Sequence, residues 1–213
     1  MDLTFSYGKR IIYGMKILDL FCGAGGASMG IVCAGHEVVG LDNNPEVLRE
    51  YPFECICADA LEYPLGGFDA YFASPPCQAY SWAAKRWGRE YLDLIGETRA
   101  RLLKTGKPFV IENVIGAPLR KDLMLCGTMF GLKIFRHRVF EIEGFLVFQP
   151  HHFPHKYRIG QKGYVTVAGH GGDGSGKFGL WKEAMGIDWM SKKSLTQAIP
   201  PLYTEYIFSH LRA

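Results

Sequence analysis

The stretch Met15–Gly26 (MKILDLFCGAGG) decides the fold class of this 213-residue chain. An apolar run of strand length, Met15–Phe21, leads directly into a glycine-rich turn, and Ala27–Ala34 follows with the composition of a helix. Glycines at such a turn let the backbone approach a ligand and aim N–H groups at it from a helix N-terminus. The stretch therefore predicts the first strand–turn–helix unit of a parallel sheet, with a ligand at the sheet edge.

The same alternation of apolar runs and helix-like stretches continues along the chain. Further strands are predicted over Val38–Asp42, Cys55–Asp59, Phe68–Ser74 and Pro108–Asn113. Leu132–Ile142 alternates enough to be extended, and helices are predicted over Arg89–Lys104 and Leu202–Leu211. This order predicts an α/β protein with a mostly parallel, twisted sheet and helices on both faces.

Composition excludes several classes of protein. With 48% hydrophobic and 21% charged residues, the chain can bury a core and is not disordered. Its apolar runs are too short to span a membrane, and no secretory signal is evident at the start. Six cysteines are too few for a disulfide scaffold, so we expect a protein of the reducing cytoplasm.

Charge is distributed unevenly. Residues 151–213 carry eight Lys and Arg against four Asp and Glu, whereas residues 1–150 are close to neutral. This asymmetry suits a catalytic body whose C-terminal part faces a polyanion, although an ordinary solvated surface would have the same composition. Gly169–Gly179, in which six of eleven residues are glycine, is predicted to be a surface loop.

Two acidic residues end the strands that follow the glycine turn. Asp42 closes the second predicted strand, where a carboxylate can accept both hydroxyls of a ribose, and Asp59 closes the third, within reach of an adenine. The spacing of the turn is not the G-x-G-x-x-G of dinucleotide sites. Together these features predict an adenosine-type cofactor across the carboxyl ends of the strands.

A cysteine on a stiff loop follows the fourth predicted strand. In Ser74-Pro75-Pro76-Cys77-Gln78, two prolines fix the direction of the next side chain, which makes Cys77 a candidate nucleophile. The other cysteines are interpreted as small buried hydrophobic residues, and zinc at Cys55-x-Cys57 is disfavoured because no second pair is present. That interpretation applies to Cys33, Cys55, Cys57 and Cys126.

Charged residues at the end of the fifth strand and beyond it complete the pattern. Glu112 follows the apolar run Phe109–Ile111, and partial desolvation would raise its pKa and keep it protonated as a donor. In Arg136-His137-Arg138, alternation in an extended segment would place both arginines on one face, suited to a phosphate or a base edge. An exposed charged strand edge is an equally good explanation of this motif alone.

These motifs, in this order, resemble those of the DNA cytosine-5 methyltransferases. The match covers residues 15–142 and returns near 195–208, where Gln197-Ala198-Ile199-Pro200-Pro201 is similar to the family's last motif. Gln197 and Thr196 stand where the family usually has Asn and Gly, and Ile134 stands where it has Gln. The resemblance implies a Rossmann-like class I S-adenosylmethionine-dependent methyltransferase fold and a DNA (cytosine-5-)-methyltransferase, in restriction–modification or phage DNA modification.

The resemblance also implies a mechanism and a set of site residues. Cys77 would add to C6 of a flipped-out cytosine, Glu112 would hold N3 and N4, and Arg136 and Arg138 would steady the base and favour the thiolate. S-adenosyl-L-methionine would donate the methyl group and leave as S-adenosyl-L-homocysteine. The residues expected to contact this cofactor are Asp19, Phe21, Cys22, Gly23, Gly25, Asp42, Asn43, Asp59, Ala60, Pro76, Gln197 and Ile199.

A separate recognition region is implied, and the chain has room only for a small one. We expect a catalytic domain over 1–143, a recognition segment over 144–193 that reads a short target, and a return to the catalytic domain over 194–213. The expected partner is double-stranded DNA, with no membrane and no obligate protein partner. The implied location is the cytoplasm of a bacterium or a virus-infected cell, in association with the nucleoid. Expected substrate contacts are Gln78, Ser81, Asn113, Lys156, Arg158, Lys162, His170 and Lys177, and Lys192 and Lys193 would face phosphates.

The histidines of the recognition segment and the rival functions complete these expectations. His151-His152-x-x-His155 could bind zinc, but no acidic residue or cysteine flanks it, so surface or phosphate-contacting histidines and no metal are predicted.

Within methyl transfer, the alternative substrates are single-stranded DNA, RNA or a free nucleotide. A catalytically silent DNA-binding regulator is disfavoured because Cys77 and Glu112 are both present, and the glycine spacing disfavours an oxidoreductase.

Overall fold

The structure, a computed structural model, describes residues 14–80, 92–167 and 178–212. Its described part contains a seven-stranded sheet in the order β3-β2-β1-β4-β5-β7-β6. The first five strands run parallel to one another, and β7 pairs antiparallel with both β5 and β6. The predicted α/β class with a mostly parallel sheet is confirmed. Three predicted site residues, Ser81, His170 and Lys177, lie outside the described residues.

The strands and helices have the following bounds. The strands are β1 Lys16–Leu20, β2 Glu37–Asp42, β3 Glu54–Cys57, β4 Ala70–Ala73, β5 Phe109–Asn113, β6 Leu123–Leu125 and β7 Arg138–Glu143. The helices are α1 Gly26–Cys33, α2 Pro45–Leu48, α3 Ile95–Thr105, α4 Phe178–Met185, α5 Lys192–Gln197 and α6 Pro201–Phe208. No helix in these described ranges is long and apolar enough to cross a lipid bilayer.

Alternate residues of the central strands bury opposite faces of the sheet, as a sheet covered on both sides requires. On one face Ile17 and Phe72 pack with Ile31 of α1 and Phe208 of α6. On the other face Leu18, Leu41 and Tyr71 pack with Ile95 and Leu102 of α3. The predicted helices on both faces are therefore confirmed, and the carboxyl ends of β1, β2, β4 and β5 are left to carry a site.

One prediction about local structure is confirmed only in part, one strand was not predicted, and the interpretation of three cysteines is wrong. Extended structure was expected over Leu132–Ile142, but β7 begins at Arg138, and the preceding segment contributes a single bridge between Ile134 and Val165. Strand β6 was not predicted, because a three-residue strand carries little periodicity. Cys33, Cys55 and Cys57 were interpreted as buried, yet all three are exposed. Two of them lie on β3, which is an edge strand.

A third apolar cluster joins the C-terminal segment to the glycine turn. Trp181 and Met185 of α4, with Met190 and Leu195, pack around Ala24 and Ile134, and Val165 and Val167 complete the buried set. This cluster lies at the carboxyl edge of the sheet. The segment after β7 therefore returns to the mouth of the site rather than extending away from it.

Candidate active site

One cavity of about 600 Å³ opens at the carboxyl ends of the parallel strands. Its wall combines three parts of the chain that the sequence singled out: the glycine turn after β1, the Pro-Pro-Cys loop after β4, and the charged residues at β5 and β7. A separate groove of about 420 Å³ lies near Lys104 and contains none of the predicted site residues. The predicted residues on the cavity wall are Phe21, Cys22, Gly23, Asp42, Asn43, Asp59, Pro76, Cys77, Gln78, Glu112, Arg136, Arg138, Gln197 and Ile199.

The glycine turn presents bare backbone to the cavity. Phe21 has a φ of 61° and Gly23 a φ of 53°, both in the left-handed region that only glycine adopts without strain. A Cβ added at Gly23 would meet no atom within 4 Å, so this residue faces open space. The turn is held from behind by the Cys22 N–H, which donates to the Leu41 carbonyl at 3.1 Å. The backbone is therefore positioned to lie along a ligand.

Two carboxylates border the turn and are fixed by backbone donors. Asp42 Oδ2 accepts the Gly23 N–H at 3.0 Å, and Oδ1 accepts the Asn44 N–H at 2.9 Å. Asp59 Oδ1 accepts the Leu61 N–H at 2.8 Å. A carboxylate oxygen can accept more than one hydrogen bond, so both groups keep capacity for ligand hydroxyl or amino donors. These residues fit the adenosine portion of a cofactor.

The C-terminal segment closes this half of the cavity. A Cβ at Gly26 would come within 2.5 Å of the Ile199 carbonyl oxygen, so the closing motif is packed directly against the first turn of α1. The Trp189 indole N–H also donates to the Ala24 carbonyl at 2.9 Å. Sequence reasoning placed Gln197 and Ile199 here but missed Trp189, because a lone tryptophan in a variable segment carries no positional signal.

Three predicted cofactor contacts do not line the cavity. Asp19 is fully buried beneath the turn and accepts the Ser28 hydroxyl, which in turn accepts the Tyr51 hydroxyl at 2.7 Å. Burial raises the pKa of Asp19 to about 7, and the Ser28 hydrogen bond only partly offsets this. Gly25 is pressed against the Tyr51 ring, and the Ala60 carbonyl accepts from Arg101. Asp19 and Gly25 thus support the turn from behind, and Ala60 is hydrogen-bonded to α3. Ligand contact had been predicted for all three residues.

The Pro-Pro-Cys loop is held by the strands on either side of it. The Ser74 N–H donates to the Leu20 carbonyl at 3.2 Å, and the Asn113 side-chain amide donates to the Pro75 carbonyl at 2.8 Å. Asn113 is buried and does not line the cavity, so the substrate contact predicted for it is replaced by a positioning role. The loop consequently presents Cys77 in a fixed place on the cavity wall.

The electrostatics of Cys77 differ from the expectation. Burial raises the pKa of its thiol above the usual value, Arg138 acts in the opposite direction, and Glu112 raises the pKa further. Arg138 and Arg136 were expected to favour the thiolate, and each does lower the pKa, but burial outweighs both. The thiol is therefore protonated at neutral pH in this state and must lose its proton when it attacks.

Glu112 and Arg138 form a buried ion pair beside Cys77. Arg138 Nε lies 2.8 Å from Glu112 Oε1, and the two side chains are 15% and 7% exposed. Burial raises the pKa of Glu112, as expected, while Arg138 and then Arg136 lower it. Oε1 accepts no well-aligned hydrogen bond from the described residues, because the Nε–H does not point at it. A buried acceptor of this kind can take a donor from a ligand.

Arg136 has a different environment from Arg138, although one face was predicted for both. It precedes β7, is 7% exposed, and donates from its two terminal nitrogens to the carbonyls of Val167 and Thr196, each at 2.8 Å. Burial and the neighbouring Arg138 lower its pKa to about 9. Arg136 thus connects the segment before β7 to two distant parts of the chain, and only one edge of it reaches the cavity.

These residues lie in a region that matches a known family. The model of the C-5 cytosine-specific DNA methylases matches residues 15–122, which is half of the chain and includes the glycine turn, Cys77 and Glu112. The chain belongs to this family. Membership of this family explains why the glycine turn, the cysteine loop and Glu112 lie together. The remaining part of the cavity wall, from Arg136 onward, lies outside the matched residues.

The chain is similar to curated sequences and, in its fold, to solved structures. A type II methyltransferase of Neisseria lactamica, M.NlaIV, is 35% identical in an alignment of length 124 that covers 48% of this chain and 28% of that protein. The chain therefore spans less than a third of that relative's length. The methyltransferase EhMeth of Entamoeba histolytica superposes with a TM-score of 0.63 at 12% identity, covering 93% of this chain and 98% of that one. The S. pombe Dnmt2 methyltransferase gives 0.60 at 13% identity, covering 92% and 97%. Both structural matches establish the predicted class I methyltransferase fold.

The predicted DNA contacts of the methylase lie apart from the cavity. Lys156, Arg158 and Lys162 are exposed and do not line it, whereas Gln78 does. The reason for predicting no metal at the histidines does not hold in the fold. The Cys126 Sγ, which lies 29 residues before His155 in sequence, is 3.4 Å from the Nε2 of that histidine.

Proposed function

We propose that this chain transfers a methyl group from S-adenosyl-L-methionine to C5 of cytosine in DNA, through a covalent bond between Cys77 and C6. The observation that carries the proposal is the shared cavity, in which the glycine turn, Cys77 and the Glu112–Arg138 pair line one wall. Family membership supports the reaction class. A silent regulator would have no need for a buried ion pair beside a cysteine.

The half of the cavity beside the glycine turn holds the cofactor. Asp42 accepts the ribose hydroxyls, Asp59 accepts the adenine amino group, and the backbone at Cys22 and Gly23 lies along the methionine portion. Phe21, held at a positive φ, packs on the adenine. When bound there, the cofactor supplies a methyl group activated by its positively charged sulfur.

The other half holds the target base. C5 of cytosine is a weak nucleophile until a nucleophile adds to C6, and Cys77 provides that addition. Its neutral thiol releases its proton to solvent water in the cavity as the S–C6 bond forms. Burial raises the pKa of Glu112, so this carboxyl group is the group that carries a proton to N3 when the base is bound and neutralises the negative charge that develops there. After methyl transfer a base removes the C5 proton and the S–C6 bond breaks, which regenerates Cys77.

Arg138 contacts the target base, whereas Arg136 positions other parts of the protein. Arg138 is paired with Glu112 and lies on the cavity wall, so it can both orient that carboxyl group and contact the base. Arg136 has its terminal nitrogens committed to the Val167 and Thr196 carbonyls. It therefore acts as a positioning residue that fixes the segment from which Arg138 projects.

Recognition of DNA is assigned to the segment after β7. In an intact duplex C6 of cytosine is hidden, so the base must leave the stack, at a cost of a few kcal/mol. The exposed cations Lys156, Arg158 and Lys162 contact phosphates while that happens. The small size of this segment favours a short target sequence.

A covalent trapping experiment tests the mechanism. In 5-fluorocytosine a fluorine replaces the C5 proton, so the elimination that releases Cys77 cannot occur. Duplex DNA that contains this base should therefore remain attached to the wild-type protein after denaturation when S-adenosyl-L-methionine is present. Cys77→Ser should form no adduct while binding the cofactor with an unchanged Kd. Efficient trapping by Cys77→Ser, or no trapping by the wild type on any DNA, would contradict the proposal. Parallel reactions with single-stranded DNA, transfer RNA and deoxycytidine monophosphate identify the substrate.

A second experiment tests the cofactor half separately. Asp42→Ala removes the carboxylate proposed to accept the ribose hydroxyls, and we expect the Kd for S-adenosyl-L-methionine to rise by roughly 10- to 100-fold, the equivalent of one or two lost charge-assisted hydrogen bonds. Calorimetric titration measures this directly. Glu37→Ala, which removes a carboxylate from the other end of β2, is the matched control and should leave the Kd unchanged.

A further inference from the structure

A cysteine and three histidines from three separate parts of the chain converge beside the catalytic sheet. The possible ligand atoms of Cys126, His137, His152 and His155 all lie within 4.8 Å of one another. The Cys126 Sγ is 3.4 Å from His155 Nε2, and the two Nε2 atoms of His152 and His155 are 3.1 Å apart. The ring centroid of His137 lies 5.3 Å from that of His152 and 5.1 Å from that of His155.

These separations are those of ligands around a tetrahedral metal ion. Zinc bonds to nitrogen at about 2.0–2.1 Å and to sulfur at about 2.3 Å, which places neighbouring ligand atoms roughly 3.3–3.6 Å apart. The distances of 3.4 Å and 3.1 Å to His155 Nε2 are close to these values, and all other donor pairs lie within 4.8 Å. A set of one thiolate and three imidazoles suits zinc better than magnesium or calcium, which prefer oxygen ligands. No other group of this kind occurs in the described ranges of the chain.

Neighbouring side chains hold the donors in place, as they do around known metal sites. The Phe135 ring stacks on the His155 ring, with centroids 4.1 Å apart and planes 14° from parallel, and Phe135 also stacks on Tyr164. The Thr128 hydroxyl donates to the Cys126 sulfur at 3.4 Å. A hydroxyl donor stabilises a thiolate, which is the form that binds zinc.

We propose that Cys126, His137, His152 and His155 bind one zinc ion in a closed, structural site. All four ligands come from the protein, and none of them lines the active-site cavity, so the site is separate from the methyl-transfer chemistry. The ion connects the end of β6, the segment before β7 and the chain that follows β7. Because His137 stands between Arg136 and Arg138, the same ion fixes the segment that presents Arg138 to the cavity.

Metal analysis of the full-length chain tests the site. The protein is expressed in zinc-supplemented medium with no polyhistidine tag, and mass spectrometry of the metal should give about one zinc ion per chain. His155→Ala, at an exposed ligand whose loss leaves the core intact, should reduce the zinc content to near zero, and Cys126→Ser should do the same. His151→Ala is the matched control, since His151 adjoins a ligand but lies outside the cluster, and it should keep its zinc.

Cobalt substitution gives a readout on the wild-type protein itself, for which no variant has to fold. Wild-type protein loaded with Co²⁺ should show visible d–d bands of tetrahedral cobalt and a thiolate-to-cobalt charge-transfer band. Cys126→Ser should lose the charge-transfer band, and Cys33→Ser, which removes an exposed cysteine elsewhere, should retain it. A wild-type protein that neither retains zinc nor binds cobalt overturns the proposal, as does zinc content that is the same in His155→Ala and wild type.

Discussion

The two halves of the active-site cavity are built by different means. The cofactor half consists of backbone and small residues: a glycine turn, carboxylates fixed by backbone N–H groups, and helix α1 packed closely on the C-terminal segment. The base half consists of side chains whose charges are buried together, with Cys77 beside the Glu112–Arg138 pair. The first half should therefore be sensitive to added volume and the second to removed charge.

The largest effect expected from this comparison is at Glu112. Glu112→Gln keeps the shape of the side chain but removes the proton that would neutralise N3, and we expect kcat to fall by about 10²- to 10⁴-fold. The Kd for S-adenosyl-L-methionine should not change, because Glu112 belongs to the base half. Steady-state methylation assays and calorimetric titration measure the two quantities.

The same variant should shift the titration of Cys77. In the ligand-free protein the carboxylate of Glu112, paired with Arg138, raises the pKa of the thiol. Removal of this charge should therefore lower that pKa and make alkylation of Cys77 by iodoacetamide faster at a given pH. A kcat loss with no change in the alkylation profile would mean that Glu112 and Cys77 are not electrostatically coupled, and would weaken the assignment of both to one half.

Added volume should damage the support of the cofactor half. A Cβ at Gly30 of α1 would collide with the Pro201 carbonyl and the Thr204 hydroxyl of α6, which are not free to move away. We expect Gly30→Ala to lower the free energy of unfolding by about 3 kcal/mol, the upper end of the range for overpacking. Urea denaturation measures this.

Gly96→Ala is the matched control for that substitution. Gly96 lies in α3, where an added Cβ would meet nothing within 4 Å. Alanine is the better helix former, so the control should be more stable than wild type by about 0.5–1 kcal/mol. Equal effects of the two substitutions would mean that helix propensity, and not packing between α1 and α6, decides the result at Gly30.

The sequence predicted those parts of the molecule that are local along the chain. The strand and turn at Met15–Gly26 could be identified because apolar runs and glycines act within a few residues. Asp42, Cys77 and Glu112 could be placed at one edge because the carboxyl ends of parallel strands always meet there. In a parallel sheet, the position of a residue along the sequence is therefore enough to predict that it lies at the site, even when side-chain packing is unknown.

Contacts between distant segments could not be predicted in this way. Arg136 was assigned to the base, yet its hydrogen-bond partners Val167 and Thr196 lie 31 and 60 residues further along the chain. Cys126 and His155 were interpreted separately for the same reason. Each of these contacts depends on the path by which the segment after β7 returns to the sheet, and that path has no periodicity in sequence.

Asp19 provides the last test of the comparison between the two halves of the cavity. It is a buried ionisable group in the cofactor half, which otherwise depends on backbone and small residues. Its pKa is raised from 3.8 to about 7 in the folded protein, mainly by burial. Between these two pH values the folded state holds a proton that the unfolded state has released, so stability must fall as pH rises through this window. From pH 5 to pH 8 the loss amounts to roughly 2.5 kcal/mol, at about 1.4 kcal/mol per pH unit.

Asp19→Asn should remove this pH dependence. An asparagine can still accept the Ser28 hydroxyl, and it carries no charge to bury, so the variant should match wild type near pH 5 and exceed it at pH 8. Urea denaturation of ligand-free protein at both pH values measures the difference. If wild type and variant lose equal stability between pH 5 and pH 8, the carboxyl group is already ionised under the glycine turn. The cofactor half would then tolerate a buried charge as the base half does, and the contrast between the two would rest on packing alone.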